Sequence, residues 1–158
     1  MKLSKLIVPV AAAGAVGYGY LTQVDRDASG AIVGAGNVDA FDIRVGDCFN
    51  DSSSGSDEIE SVRGVPCANP HDNEVYAVFD LTISEFPGDE AVYELAFDAC
   101  LDRFEPFVGH DYETSILDIY AIYPTRDGWN SLNDREVVCA LYDLEAKKLE
   151  GTMKGSRV

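Results

Sequence analysis

Positive charge is scarce in this chain of 158 residues. It carries 12 Lys and Arg residues against 28 Asp and Glu residues, for a formal net charge of −16. A field of that sign repels phosphate backbones and anionic lipid headgroups, which argues against nucleic acid as a partner. The same charge suits a solvated surface, or attraction to cations and basic partners.

Signatures of catalysis and cofactor binding are also lacking. His71 and His110 are the two histidines of the chain. No Gly-x-Ser-x-Gly elbow, phosphate-binding glycine loop or Asp-x-Asp-x-Asp-Gly calcium loop occurs in the sequence. We therefore expect no cofactor, and the sequence favours a binding module over an enzyme.

The N-terminal segment indicates a location outside the cytoplasm. Lys2 and Lys5 precede an uncharged apolar run from Leu6 to Val24, and together they make up the segment 1–24. The run is close to the roughly 20 residues of a membrane-spanning helix, and positive charge stays on the cytoplasmic side. The alternative is a signal peptide cleaved after Ala13 or Ala15. We expect an anchored or a secreted protein.

Two further regions follow. Residues 25–40 are small, polar and rich in glycine, which predicts a flexible linker. Residues 41–158 are predicted to form the folded domain. Its patterns predict strands at 43–49, 59–66, 74–81, 116–123 and 136–144, and a helix at 90–105.

The predicted helix has clear end signals. Asp89 is suited to cap its first turn, and Pro106 is expected to end it. Strands 59–66 and 74–81 are predicted to be an edge strand and a central strand, respectively. The order predicts an α+β fold, with one principal helix packed on a small antiparallel-rich sheet.

The four cysteines are expected to form two disulfides. Cys48, Cys67, Cys100 and Cys139 lack the close spacing of a zinc site, and thiols outside the cytoplasm oxidise readily. Four cysteines allow three pairings. We favour Cys48–Cys67, across the polar loop between two strands, and Cys100–Cys139, between helix and sheet. Each crosslink should contribute about 3–4 kcal/mol.

The stretch around the first histidine is the most unusual in composition. Pro70, His71, Asp72 and Glu74 follow Cys67 closely. The favoured interpretation is a tight turn in which polar side chains bond the loop backbone. The alternative is an acid–base or metal cluster of His71, Asp72 and Glu74.

Aromatic and charged residues near the C-terminus form a second candidate motif. Trp129 is the single tryptophan, and Asp134 and Arg135 follow it. We expect the indole to fold back over the core. A surface anchor for a partner is the alternative.

An ordered set of motifs resembles the septum formation family over about residues 43–155. The matching pieces are residues 45–49, 65–67, 70–72, 74–75, 107–109, 123–125 and 134–135, with Cys100, Trp129, Val137 and Cys139. Asn133 stands where the pattern has Gly, a change compatible with a turn. Family members are typically actinobacterial envelope proteins, so the resemblance implies an anchored or secreted protein linked to septum formation. It implies no catalytic residues.

Two functional hypotheses follow. The first is a membrane-anchored extracytoplasmic binding or structural module, acting in septum formation on an envelope protein or a cell-wall component. The second is a metal-assisted envelope hydrolase that uses His71, Asp72 and Glu74.

Overall fold

One large sheet organises the described part of the chain. The structure is a computed structural model that describes residues 2–3, 22–52 and 59–158. Its elements are β1 Lys2–Leu3, β2 Asp25–Arg26, β3 Ile32–Gly34, β4 Gly36–Asp39, β5 Cys48–Asn50, β6 Ser61–Val65, β7 Asn73–Asp80, α1 Asp89–Val108, β8 Leu117–Pro124, α2 Arg126–Ser131 and β9 Glu136–Asp143. Short 3-10 helices occur at Ala40–Asp42 and Tyr112–Thr114.

Seven of the described strands form a sheet in the order β1-β8-β9-β7-β5-β6-β4. Neighbours are antiparallel, except that β1 runs parallel to β8. Strands β2 and β3 form a separate antiparallel hairpin. The α+β class with an antiparallel-rich sheet is confirmed, and β7 lies in the interior of the sheet as predicted.

Helix α1 covers one face of the sheet. Its buried residues recur at every fourth position, which places them on one stripe: Val92, Ala96, Cys100, Phe104 and Val108. They pack against alternate residues of β8 and β9, because successive strand residues point to opposite faces. The N-cap is Gly88, and Asp89 is instead the first helical residue, where its carboxylate still favours the positive helix end.

The C-terminal end of α1 differs from the prediction. Pro106 lies inside the helix, which continues to Val108. The missing N–H of Pro106 leaves only the carbonyl of Asp102 without its helical donor, and Asp102 is exposed to water. The helix ends where Gly109 adopts φ 78° and donates its N–H to the carbonyl of Glu105.

The flexible linker predicted for residues 25–40 is wrong. These residues form β2, β3 and β4, and Ile32 and Val38 are buried against the second face of the sheet. Two glycines allow the chain to pack closely in this region, because a side chain at either position would clash with its neighbours. A Cβ on Gly36 would lie 2.4 Å from the carbonyl oxygen of Thr22, and one on Gly64 would lie 2.8 Å from Val24 and Val38.

The presence of β4 also makes the prediction of an edge strand at 59–66 wrong. Because β4 pairs with β6, the predicted edge strand at 59–66 becomes an inner strand between β4 and β5. The folded unit therefore begins before residue 41. Gln23 forms a bridge with Asn37 in β4, so the end of the predicted segment 1–24 already belongs to the fold.

Most of the predicted anchor, residues 4–21, lies outside the described residues. The residues before it, Lys2–Leu3, pair with Tyr123 and Pro124 at the end of β8. Among the helices that the structure describes, none has the length and apolar content needed to cross a bilayer.

Candidate functional site

The predicted turn motif is held between two strands and the C-terminal segment. His71 exchanges two backbone hydrogen bonds with Leu149, at N···O distances of 3.0 and 2.8 Å. Gly151 donates its N–H to the carbonyl of Cys67 at 2.7 Å. Residues 149–153, here called the C-terminal strap, therefore lie directly over the motif.

The imidazole of His71 is fully buried. Its Nδ1 lies 2.8 Å from the carbonyl oxygen of Asn69. Because a carbonyl only accepts, Nδ1 is assigned the proton and Nε2 the lone pair. Within the part of the chain that the structure describes, Nε2 is buried and makes no hydrogen bond.

Asp72 does not join His71 in a cluster. Its carboxylate pairs with Lys148 Nζ at 2.7 Å and accepts the N–H of Asp51 at 3.0 Å. Partial burial alone would raise the pKa of Asp72, but the hydrogen bonds from Lys148 and Asp51 outweigh it and lower that pKa. The predicted cluster of His71, Asp72 and Glu74 is thus divided, and these three groups do not form a joint acid–base site.

Glu74 is a buried carboxylate with polar partners from the strap. It accepts the hydroxyl of Thr152 at 2.5 Å and the N–H of Met153 at 2.6 Å. Buried carboxylates require such compensation. Glu74 therefore fastens the C-terminal strap over the central strand.

Cys48 takes the place that Asp72 was expected to fill. Possible ligand atoms of Cys48, His71 and Glu74 all lie within 4.8 Å of one another, and all three residues are buried. Cys48 stands opposite Glu74 in the pairing of β5 with β7. The sequence contains no local signal for this cluster, because Cys48 reaches it only through the register of the sheet.

Both predicted disulfides are confirmed. Cys48 pairs with Cys67, and Cys100 pairs with Cys139. Cys48, Cys100 and Cys139 are fully buried, whereas Cys67 is half-buried.

Trp129 and Arg135 connect separate parts of the fold. The indole is buried, and its Nε1 donates to the carbonyl of Ser84 at 3.3 Å. The guanidinium of Arg135 lies 3.7 Å from the indole centroid. Arg135 also donates to a set of backbone carbonyls, those of Ile83, Ser84, Trp129 and Asp134. These contacts hold the loop before α1 against α2 and β9.

The turn between α2 and β9 explains two further residues. Asn133 has φ 54°, a left-handed conformation that Asn tolerates better than most residues. Asp134 is buried, and its Oδ1 accepts the N–H of Glu136 at 3.0 Å. Both residues therefore shape the entry into β9.

An acidic groove of about 630 Å³ lies beside the end of α1. Its carboxylates are those of Asp102, Glu105, Asp111 and Glu113, with Leu101, Pro106, Gly109 and Tyr112 between them. The four acidic residues are exposed. The aliphatic part of Arg157 passes next to Gly109, since a Cβ on that glycine would lie 3.4 Å from Arg157 Cγ. The groove suits a partner that carries positive charge.

Asp118 on β8 gathers two tyrosines near this groove. Its carboxylate accepts the hydroxyls of Tyr112 at 2.6 Å and Tyr142 at 2.8 Å, and the N–H of Ile119 at 2.8 Å. Burial raises the pKa of Asp118, but these hydrogen bonds lower it by more. Burial and the bond to Asp118 raise the pKa of Tyr142 to about 12.

The fold and the site define a disulfide-bonded α+β domain. A family model described as septum formation matches residues 45–156, so the chain belongs to that family. Neither a curated protein nor a solved structure matches the chain significantly.

Proposed function

We propose that this chain is an exported, non-catalytic binding module that acts in septum formation at the cell envelope. The acidic groove at the end of α1 supports this proposal most directly. It presents four exposed carboxylates, and two of them, Asp102 and Glu105, lie on the helix that the Cys100–Cys139 disulfide fixes to the sheet. A rigid surface loses little conformational entropy when it binds.

The proposed partner is a basic segment of an envelope protein. A net charge of −16 steers such a segment toward the domain, and the groove concentrates the field at one place. Cell-wall components that carry amines are the second class of partner. Nucleic acid is disfavoured, because its phosphates are repelled.

The proposed location is outside the cytoplasm. Two disulfides persist in oxidising compartments, and the N-terminal charge pattern directs the domain outward. Since residues 22–24 belong to the fold, a spanning helix would have to use residues 6–21, fewer than the roughly 20 that are usual. Anchoring would also separate Lys2–Leu3 from β8, whereas cleavage as a signal peptide would remove these residues.

Charge reversal in the groove tests the binding proposal. We expect a fluorescent fusion to concentrate at the septum and Asp102→Lys with Glu105→Lys to disperse it. The matched control reverses Glu60 and Asp80, two exposed acidic residues outside the groove, and should leave the fusion in place. Equal behaviour of the two double variants would contradict a role for the groove.

A reporter fused after Val158 tests the location. We expect activity only outside the cytoplasm. The N-terminal sequence of the mature protein then separates the two forms of export, since an intact terminus indicates an anchor and a start near residue 14 or 16 indicates cleavage. A reporter that is active in the cytoplasm would refute export.

A further inference from the structure

We propose that Cys48, Cys67, His71 and Glu74 form a latent zinc site that becomes available when the Cys48–Cys67 disulfide is reduced. In the oxidised protein Cys48 has no thiolate to offer a metal. After reduction the pocket would contain two thiolates, one imidazole nitrogen and one carboxylate oxygen. Such a mixed set of four ligands is suited to tetrahedral Zn²⁺.

The geometry is close to that of a metal site. Ligand atoms of Cys48, His71 and Glu74 lie within 4.8 Å of one another. Atoms bound to one tetrahedral zinc lie about 3.3–3.8 Å apart, from bond lengths of about 2.0–2.3 Å. Side-chain movements of about an ångström would therefore complete the site. Cys67 is already within bonding distance of Cys48.

His71 provides the independent observation. Its Nε2 is buried and makes no hydrogen bond in the described part of the chain. Burying a polar atom without a partner costs free energy, so such atoms in native proteins call for an explanation, and a functional role is one. Its Nδ1 is oriented by the carbonyl of Asn69. Metal-binding histidines have this outer-shell arrangement, in which one nitrogen donates to a carbonyl and the other coordinates.

Glu74 is able to bind a metal and keep its present partners. A carboxylate has about four lone-pair positions, and the strap occupies two of them through Thr152 and Met153. The strap would thus hold the carboxylate in place in both states.

Reduction proceeds by thiol–disulfide exchange with a dithiol. One thiolate of the dithiol attacks the half-buried Cys67 Sγ, which forms a mixed disulfide and leaves the bonding electron pair on Cys48 Sγ. The second thiolate of the reductant closes its own disulfide and releases the Cys67 thiolate. Two electrons pass to the protein, and Zn²⁺ takes the place of the protons that two thiols would carry.

The test measures zinc binding by the purified full chain before and after treatment with a phosphine reductant. A chromophoric chelator reports affinity, and elemental analysis reports stoichiometry. We expect one zinc per reduced chain and none per oxidised chain. Cobalt in place of zinc should give the absorption of a tetrahedral ion with thiolate ligands.

Two variants distinguish this site from adventitious thiolate binding. His71→Ala should weaken zinc binding more than about tenfold, since even outer-shell groups are worth that much. His110→Ala, the matched control at the other histidine, should have no effect. If His71→Ala fails to fold, Glu74→Gln serves in its place. Equal zinc binding by oxidised and reduced protein, equal affinities of the variants and the control, or no zinc uptake on reduction would each overturn the proposal.

Discussion

The two disulfides lie in environments of opposite character. Cys100–Cys139 joins α1 to β9 inside an apolar core, and both cysteines are fully buried. Cys48–Cys67 lies at the polar end of the sheet, where Cys67 is half-buried and His71 and Glu74 are neighbours. Among the described residues, the Cys100–Cys139 disulfide has only packing neighbours, whereas the Cys48–Cys67 disulfide lies beside an imidazole and a carboxylate.

A similar contrast separates the family region from the segment before it. The match to the septum formation family begins at residue 45, but residues 22–39 complete the second face of the sheet. Arg26 joins the two parts. Its guanidinium contacts the buried carboxylate of Asp47 at 2.6 and 2.8 Å. The N-terminal hairpin is therefore part of the stability of this domain.

Removal of the core crosslink should have the largest effect. Replacing both Cys100 and Cys139 with Ala should lower the free energy of unfolding by about 4 kcal/mol or more, because a long loop is released and buried sulfur is lost. Replacing Cys48 and Cys67 should cost about 3 kcal/mol, since their loop is shorter. Denaturant titration measures both. A larger loss for the second pair would reverse the comparison.

Removal of the Arg26 guanidinium should rank next. Arg26→Ala removes the ion-pair partner of the buried Asp47 carboxylate, which keeps the backbone N–H of Arg44 as a donor, and we expect a loss of about 3 kcal/mol. Arg126→Ala is the matched control, because Arg126 pairs with Asp89 at 3.6 Å on the exposed surface. That pair should contribute less than about 1 kcal/mol. Similar losses in the two variants would refute the role of the hairpin.

Acid should produce the smallest effect. The pKa of Asp118 and that of Asp72 are both lower in the folded protein than the usual value near 3.9. Their stabilisation is fully present above that value and is lost as pH falls through the lowered folded pKa. We therefore expect the melting temperature to decrease as the pH is lowered below about 4.

Asp118→Asn checks the source of this acid dependence. It should make the acid limb of the melting curve shallower, whereas Asp98→Asn, at an exposed position on α1, should leave it unchanged. Identical acid limbs in wild type and Asp118→Asn would rule out the contribution assigned to Asp118.

Some elements of the fold could be predicted from the sequence and others could not. Helix α1 was predictable because its apolar residues follow the helical period, and strands β7, β8 and β9 were predictable because each is a mainly apolar run of eight residues. The Cys100–Cys139 pairing followed from helix α1 and strand β9, and the Cys48–Cys67 pairing followed from the two predicted strands on either side of the polar loop. The hairpin at residues 25–40 was missed because glycine needed for close packing has the same composition as glycine in a linker.

The candidate site was only half predictable. His71 and Glu74 stood out by composition, but their third neighbour was expected to be Asp72, the adjacent residue. The pairing of β5 with β7 brings Cys48 there instead, from more than 20 residues away. Helix α2 was also missed, because six residues show too little periodicity.

Partial reduction under native conditions tests the contrast between the two disulfides most directly. The folded chain is treated with a limiting amount of thiol, free thiols are alkylated, and mass spectrometry identifies the modified cysteines. We expect Cys48 and Cys67 to be modified first, while Cys100 and Cys139 stay paired until the domain unfolds. Modification of Cys100 and Cys139 first, or of all four together in folded protein, would contradict this expectation.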